Sequence, residues 1–164
     1  MDVVTAYIGL GANLGESEQR LLEAVERLDK EGVEILRLST LYRSEPVEAP
    51  PQPWFVNAVV SVRCAAGLDS ALDLLRICQS IERAAGRERT IPKGPRTLDL
   101  DLLLHGDNVI NASGVTVPHP RLHERAFVLI PLVEVAPDLV HPVLNRAISE
   151  LAEESDRSGM SGLV

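Results

Sequence analysis

Two aspartates separated by one residue are the strongest chemical signal in the sequence. Asp99 and Asp101 lie within residues 97–104, where a period of two predicts a strand. Four leucines occupy its opposite face: Leu98, Leu100, Leu102 and Leu104. The aspartate Cβ atoms of such a strand lie about 7 Å apart, which suits shared binding of hard cations. Taken alone, the pair is equally compatible with solvent-exposed aspartates in salt bridges.

The segment before these aspartates is basic. Residues 83–96 hold five basic residues against Glu88, a local charge of +4 in a chain of net charge −8. The five are Arg83, Arg87, Arg89, Lys93 and Arg96. Charge alone would favour a solvated loop, but basic residues beside paired carboxylates predict a nucleotide-phosphate site with magnesium. The acidic net charge argues against nucleic acids or anionic membranes as partners.

Other residue types point to a flat ligand and to phosphate. Phe55 and Asn57 share a predicted strand face, and an aromatic plane beside an amide suits a heterocycle. Phe55 as an ordinary core residue is the alternative. His119 lies between two prolines in an extended piece, with Arg125 shortly after, and could be a positioned ligand-binding residue or a structural histidine.

The glycine-rich segment at residues 9–15 does not match a nucleotide-binding fingerprint. It reads G-x-G-x-x-x-G, one residue out of register with the dinucleotide motif, and no Gly-Lys-Ser/Thr of a P-loop occurs. We therefore expect a tight turn in which Asn13 bonds locally.

Hydrophobic periodicity predicts the scaffold that positions these residues. Strands are predicted at residues 3–10, 33–42, 54–64 and 97–104. Helices are predicted from Ser17 to a stop at Gly32, and from residue 69 or 70 to a stop at Gly86. The order β-α-β-β-α-β is typical of an α+β protein with a ferredoxin-like core, an antiparallel sheet with helices on one face.

The remaining residues are predicted to be a C-terminal extension of one domain spanning residues 1–164. Its predicted elements are short strands near 109–110 and 115–117, a helix from about Phe127 with Pro131 in its first turn, a helix over 146–153 and a frayed tail at 155–164.

Cysteine usage and the absence of targeting signals indicate the cell compartment. Cys64 and Cys78 are predicted to be buried, reduced thiols, with one disulfide as the alternative. No signal peptide and no membrane-spanning run is recognised, so we expect a cytoplasmic protein without a membrane partner.

With these residues described, the sequence resembles the 6-hydroxymethyl-7,8-dihydropterin pyrophosphokinase family of folate biosynthesis. The resemblance extends in order over roughly 140 residues, which makes it far more specific than any single short motif. It is carried by residues 6–9, 52–58, 94–101, 117–121 and 136–139.

The resemblance implies transfer of pyrophosphate from ATP to the pterin hydroxymethyl group, with AMP released and two magnesium ions bound by Asp99 and Asp101. These aspartates would be catalytic together with Arg87 and Arg96. The implied pterin-binding residues are Ser44, Val47, Phe55, Asn57 and Phe127. The implied ATP-binding residues are Gln79, Glu82, Arg87, Arg89, Arg96, His119 and Arg125. A monomer is expected.

Three departures from the family pattern bear on loop closure and ATP affinity. The basic loop is one residue short around residues 91–93, Gly114 stands where some members have arginine, and Pro120 where some have tyrosine. Two other functions share some of these features. A metal-dependent hydrolase or nucleotide-sugar transferase also uses an Asp-x-Asp pair, and a non-catalytic ligand-binding module also uses ferredoxin-like folds.

Overall fold

The computed structural model describes residues 2–46, 51–86 and 98–162. The elements in these ranges are β1 (Val3–Ala12), α1 (Ser17–Lys30), β2 (Glu34–Leu38), β3 (Tyr42–Ser44), β4 (Phe55–Ala65), α2 (Leu68–Ala84), β5 (Asp99–His105), β6 (Ile110–Ala112), β7 (Val115–Val117), a 3-10 helix (Leu122–Glu124), α3 (Ala126–Val135), α4 (Ile148–Glu154) and β8 (Met160–Gly162). The predicted combination of helices with an antiparallel sheet is confirmed. Both cysteines are free thiols, as predicted. None of the described helices is long and apolar enough to cross a membrane.

Six strands form the main sheet, and every paired neighbour is antiparallel. Their order is β5-β1-β4-β3-β8, with β2 also paired to β4, while β6 and β7 form a separate hairpin. The long strands β1 and β4 pair from Val3↔Ala65 to Ala12↔Val56. This unbroken register fixes which side chains of the two strands share a face, because directly opposite residues point to the same side.

Helices cover both faces of the sheet. Leu21 of α1 and Leu74 of α2 pack with Ile8 in one hydrophobic cluster. On the other face, α3 and α4 pack with Tyr7 and Val59 in a second cluster. The prediction of helices on one face was made for the ferredoxin-like core and holds for α1 and α2, whereas α3 and α4 of the extension cover the other face. The apolar surfaces of α3 and α4 must also be buried, and the second sheet face is the surface that buries them.

Strand β1 is longer than predicted and takes in part of the glycine-rich segment. Gly9 and Gly11 pair with β4 on one side and β5 on the other, so they belong to a central strand and the predicted turn is wrong at these positions. The bonds of the Asn13 side chain to other described residues are not local either. Its Nδ2 donates to Gln52 Oε1 at 2.8 Å and to the Pro53 carbonyl at 2.9 Å, far along the chain.

A β-bulge interrupts β5 after the aspartates. Tyr7 pairs with Leu104 and Ile8 pairs with Leu102, so Leu103 is an extra residue on β5. The alternation predicted for the four leucines is therefore wrong at Leu104, which joins Leu103 in the cluster under α3 and α4. The two aspartates precede the bulge and keep their predicted face.

The single strand predicted at residues 33–42 is divided into β2 and β3. At the break, Ser39 N–H donates to the Val59 carbonyl and Ser39 Oγ accepts from Val59 N–H, both at 2.9 Å. Thr40 donates from its backbone nitrogen and from Oγ1 to Glu134 of α3, at 2.7 and 2.9 Å. The chain leaves the sheet here because the Glu134 carboxylate of α3, rather than a neighbouring strand, accepts the hydrogen bonds from Thr40.

Two predictions for the extension are wrong. Pro131 lies inside α3 rather than in its first turn, because the helix begins at Ala126, directly after the 3-10 helix. The tail predicted to be frayed contains β8, which pairs with β3, and Glu45 N–H donates to the Gly159 carbonyl at 2.9 Å. This pairing covers backbone groups that β3 would otherwise expose along its outer edge.

Candidate active site

The predicted metal-binding and pterin-binding residues lie in one row across the sheet. Asp99 of β5 pairs with Gly11 of β1, and Gly11 pairs with Asn57 of β4. Directly opposite residues share a face, so the aspartate and the amide point to the same side with a glycine between them. Neighbouring strands are about 4.8 Å apart, which separates the two side chains by about 10 Å. We refer to the sheet surface along this row as the cleft.

The aspartate pair lies on the face that carries α3. Asp99 and Asp101 are both half-buried, whereas the leucines that alternate with them are buried in the cluster under α1 and α2. Leu103, next on the aspartate face, packs in the cluster under α3 and α4. The carboxylates therefore lie at the margin of this second core, where it opens to solvent.

Asn57 and Ser44 form the other side of the cleft. Asn57 is 5% exposed, and its Nδ2 donates to Ser44 Oγ at 2.7 Å. This hydrogen bond fixes the orientation of the amide on the sheet. Phe55, two residues earlier on the same strand, is half-buried, and it is absent from both hydrophobic clusters of the described residues. That position favours the ligand-binding interpretation of Phe55 over a core role.

Helix α3 contributes two of the predicted residues at its N-terminus. Phe127 is half-buried at the edge of the second cluster, and the Arg125 guanidinium carbon lies 5.6 Å from the centre of its ring. Burial and then Arg121 lower the pKa of Arg125, while Asp101 and Asp99 raise it. The guanidinium therefore lies near the aromatic ring and within electrostatic reach of the aspartate pair.

His119 is held beside the aspartates by the backbone of the bulged strand. Its N–H donates to the Leu103 carbonyl at 2.9 Å, and its Nδ1 accepts from Arg121 N–H at 3.2 Å. Burial, followed by Arg125 and Arg121, lowers the pKa of His119, although Asp99 raises it. At neutral pH the ring is therefore neutral, and because Nδ1 is an acceptor, Nε2 carries the proton and can donate it.

Glu82 of α2 supports the strand between the two aspartates. It is 7% exposed, and its Oε2 accepts from Leu100 N–H at 2.9 Å. Burial, then Glu82 and Asp101, raise the pKa of Cys78 to about 12, which keeps that thiol protonated behind the site. Gln79 lies exposed one helical turn before Glu82. Contact of Gln79 and Glu82 with phosphate stays a prediction.

A cavity of about 230 Å³ opens next to the aspartates and was not predicted. It lies between α2, the free edge of β5 and the β6–β7 hairpin. Its lining consists of Leu75, Leu100, Asp101, Leu102, Gly114, Val115, Thr116, Val117, His119 and Pro120. The only sequence signal was indirect, since Gly114 and Pro120 are two of the positions that depart from the family pattern.

Four predicted site residues lie outside the described residues. They are Val47, Arg87, Arg89 and Arg96. Their roles therefore remain predictions.

The carboxylates present fit magnesium held together with a phosphate ligand. Among the described residues, no group of three or more His, Cys, Asp or Glu side chains could hold a metal by itself. Magnesium is commonly bound through one or two carboxylates, with water and substrate phosphates as its other ligands. Asp99 and Asp101 supply such a pair, and the Asp-x-Asp spacing on a strand suits hard oxygen ligation rather than a closed zinc site.

Comparison with known proteins identifies the family. A family model described as 7,8-dihydro-6-hydroxymethylpterin-pyrophosphokinase (HPPK) matches residues 7–137. The chain belongs to the HPPK family. The family predicted from the sequence is therefore confirmed.

Relatives of known name agree with this assignment. The 2-amino-4-hydroxy-6-hydroxymethyldihydropteridine pyrophosphokinase of Haemophilus influenzae is 39% identical over 153 residues, covering 93% of each chain. The enzyme of the same name from Pseudomonas aeruginosa is 43% identical over 142 residues, covering 83% of each. The folic acid synthesis protein fol1 of Pneumocystis carinii is 40% identical over 154 residues, which cover 94% of this chain and 20% of that protein. The chain thus spans about a fifth of that fungal relative.

Solved structures agree on the fold. The Plasmodium falciparum HPPK-DHPS wild type with pteroate superposes with a TM-score of 0.71 at 15% identity, over 93% of this chain and 42% of that one. At such low identity the similarity shows the fold alone.

Proposed function

We propose that this chain transfers the terminal pyrophosphate of ATP to the hydroxymethyl group of 6-hydroxymethyl-7,8-dihydropterin, giving AMP and the pterin diphosphate. The observation that carries the proposal is the row Asp99–Gly11–Asn57, which sets a carboxylate and a fixed amide about 10 Å apart on one sheet face. A cleft of this width can hold a pterin against the amide while its hydroxymethyl group reaches toward phosphates at the aspartates.

The cavity beside Asp101 is our candidate site for the adenosine part of ATP. Leu75, Leu102 and Val115 give it apolar walls, and His119 lies at its margin toward the aspartates. A flat base buried between these walls would direct its phosphates along β5, past His119 and toward Arg125. The neutral histidine would donate from Nε2 to a phosphate oxygen, and the guanidinium would pair with phosphate charge.

The pterin would bind on the Asn57 side of the row. Its polar ring edge matches the carboxamide, which Ser44 holds in a fixed orientation at 2.7 Å. The rings of Phe55 and Phe127 would stack on its two flat faces. Val47 is the remaining residue of the predicted pterin-binding set.

In the reaction, the hydroxymethyl oxygen bonds to the β-phosphorus of ATP as the bond from that phosphorus to the α-phosphate oxygen breaks. AMP leaves with the bridging oxygen, and the hydroxyl proton is released. Two magnesium ions bound with Asp99 and Asp101 would neutralise phosphate charge and acidify the attacking hydroxyl. The protein residues contribute by positioning: Asn57 orients the pterin, while His119, Arg125, Arg87 and Arg96 stabilise the phosphates.

We extend the proposal to the whole chain. The strand order β5-β1-β4, with β2 and β3 beyond β4, supports a ferredoxin-like core with the C-terminal residues as an extension of one domain. The net charge of −8 supports a monomer that acts on small molecules, without nucleic-acid or membrane partners. The cytoplasm is its proposed location.

Product analysis tests the proposed function. The purified chain is incubated with ATP and magnesium, with and without the reduced pterin, and nucleotides are separated by chromatography. We expect AMP and pterin diphosphate in equal amounts, only when the pterin is present. ADP as the product, or AMP with free pyrophosphate in the absence of pterin, would replace the proposal with a different kinase or a hydrolase. Binding of both ligands without turnover would indicate a non-catalytic module.

A further inference from the structure

Gly11 occupies a position where the backbone does not require glycine. It lies inside the central strand β1, paired to both neighbours, and it is not among the glycines with positive φ. Glycine weakens a strand interior because it loses more conformational entropy on folding and has no side chain to pack. A destabilising residue at such a position indicates that space, rather than backbone conformation, is what the site needs.

The space above Gly11 borders the amide of Asn57. A Cβ atom added at Gly11 would lie 3.3 Å from Asn57 Oδ1 and 3.9 Å from the Val56 carbonyl oxygen. The first distance is shorter than an ordinary van der Waals contact, so the amide would have to move. Asn57 is 5% exposed, and its Nδ2 is hydrogen-bonded to Ser44 Oγ, so moving the amide would disturb that bond.

Gly9 provides an internal comparison on the same strand and the same face. A Cβ atom at Gly9 would meet the Leu103 side chain at 3.4 Å, which is the edge of ordinary contact with a flexible group. A methyl group added at position 9 would therefore contact the Leu103 side chain. A methyl group added at position 11 would contact the amide of Asn57, which is proposed to bind the pterin. The two positions differ in what the methyl group contacts, while the strand environment is the same.

We infer that Gly11 is a positioning residue for Asn57. The missing side chain lets the carboxamide keep the orientation that Ser44 sets, with Oδ1 directed over the cleft as an acceptor for a ring N–H of the pterin. This inference rests on the proposed function for the identity of the ligand. It predicts that substitution of Gly11 impairs recognition of the heterocycle and spares the nucleotide, whose proposed contacts lie on the β5 side of the row.

Binding measurements on matched variants test the inference. Calorimetry gives the Kd of 6-hydroxymethyl-7,8-dihydropterin in the presence of a non-hydrolysable ATP analogue, and the Kd of the analogue itself. We expect Gly11→Ala to weaken pterin binding about tenfold or more, equivalent to about 1.4 kcal/mol, with analogue affinity changed less than about twofold. Gly9→Ala should keep pterin affinity within about twofold. Equal losses for both ligands in Gly11→Ala, or equal pterin losses in both variants, would overturn the inference.

A double-mutant cycle separates action through Asn57 from a general defect. In an Asn57→Ala background, Gly11→Ala should weaken pterin binding by less than about twofold, because the group it displaces is gone. A full additional loss in that background refutes the inference. If Gly11→Ala folds poorly, thermal unfolding of the same variants provides the test. The double variant Gly11→Ala/Asn57→Ala should then have a higher melting temperature than Gly11→Ala alone. An equal or lower melting temperature of the double variant would also refute the inference.

The wild-type chain distinguishes this inference from the proposed function. A wild type that binds no pterin and forms no AMP would remove the proposed function, and the inference with it. A wild type that binds the pterin beside a Gly11→Ala variant of unchanged affinity would remove the inference alone.

Discussion

Replacing Asp101 with asparagine separates the metal-binding role of the aspartate pair from a structural role. Asp101 is half-buried on β5, two residues from Asp99 on the same face. Asparagine has nearly the same shape and keeps one carbonyl oxygen. The substitution therefore removes one negative charge and little else. Among the described residues, two opposing electrostatic effects of this change can be identified in the protein without ligands.

The two effects have opposite signs. Like charges about 7 Å apart repel by about 0.6–2.4 kcal/mol for effective dielectric constants of about 80 to 20. Relief of this repulsion stabilises the variant. Asp101 also attracts Arg125, as the rise that it causes in the pKa of the guanidinium indicates, and that attraction is lost. We expect the free energy of unfolding to change by less than about 1 kcal/mol, a small shift for a surface charge change.

Activity should respond far more strongly than stability. If Asp101 binds magnesium, the loss of an anionic ligand should lower turnover by at least about 10²–10³-fold, the range for one preorganised electrostatic group. Melting temperature without ligands and AMP formation are measured on one preparation. Asp107→Asn, in the exposed turn after β5, is the matched control and should change neither quantity. Near-normal turnover in Asp101→Asn, above all with a lowered melting temperature, would refute the metal-binding role and indicate a structural salt bridge.

Three further substitutions test other parts of the site. Phe127→Ala should weaken pterin binding by about 1 kcal/mol or more while sparing ATP, because one stacking ring is lost; calorimetry that shows equal losses would contradict the sandwich. Glu82→Ala should lower stability by about 1–3 kcal/mol by leaving the Leu100 N–H unpaired, while Glu82→Gln keeps an acceptor and most of the stability; equal unfolding midpoints for the two variants would argue against this role. Tyr42→Phe should cost about 1–2 kcal/mol at pH 7, because the phenol donates to Glu134 at 2.6 Å. Burial and then this hydrogen bond raise the pKa of Tyr42 to about 12. The stabilisation that the protonated phenol provides is therefore complete below about pH 10 and is lost as pH rises toward 12. The free energy of unfolding, measured with denaturant at pH 7 and pH 11, should decrease less between these pH values in Tyr42→Phe than in the wild type. An equal decrease in both proteins would show that this hydrogen bond is not the source of the alkaline loss of stability.

Local periodicity was sufficient to assign the faces of the long strands. In β4, alternate residues such as Val60 and Val59 fall in the two opposite hydrophobic clusters, as the period of two predicts. The same alternation assigned Asp99 and Asp101 correctly to the face away from α1 and α2. Alternation along a strand determines the sheet face to which each side chain points. The face can therefore be assigned without knowing which strands or helices pack beside that strand.

Features that depend on distant partners were not predictable in this way. The break between β2 and β3 follows from hydrogen bonds between Thr40 and Glu134, 94 residues apart in sequence. The bulge at Leu103 depends on the register with β1, and β8 forms because β3 offers it an open edge. None of these causes alters the hydrophobic periodicity of the segment that it affects.

Within the site, residue types were easier to predict than the space between them. Carboxylates, an amide and aromatic rings are visible in the sequence, but the glycines at positions 9 and 11 resembled a turn. The cavity proposed for the nucleotide combines small and apolar residues from α2, the edge of β5 and the β6–β7 hairpin. Such residues carry no charge or motif, so only the fold brings them together.

Helix α3 explains why the C-terminal extension is needed for a site built on the sheet. The row Asp99–Gly11–Asn57 provides a floor, but a floor alone cannot enclose a pterin or neutralise phosphate. At the N-terminus of α3, the Arg125 guanidinium carbon lies 5.6 Å from the centre of the Phe127 ring, and both aspartates raise the pKa of Arg125. Two turns later, Glu134 accepts hydrogen bonds from Tyr42, the residue opposite Asn57 on β3. Burial would raise the pKa of Glu134, but bonds from Tyr42 and Thr40 lower it, so the carboxylate stays ionised and the helix remains fixed to the strand that borders the pterin side of the cleft.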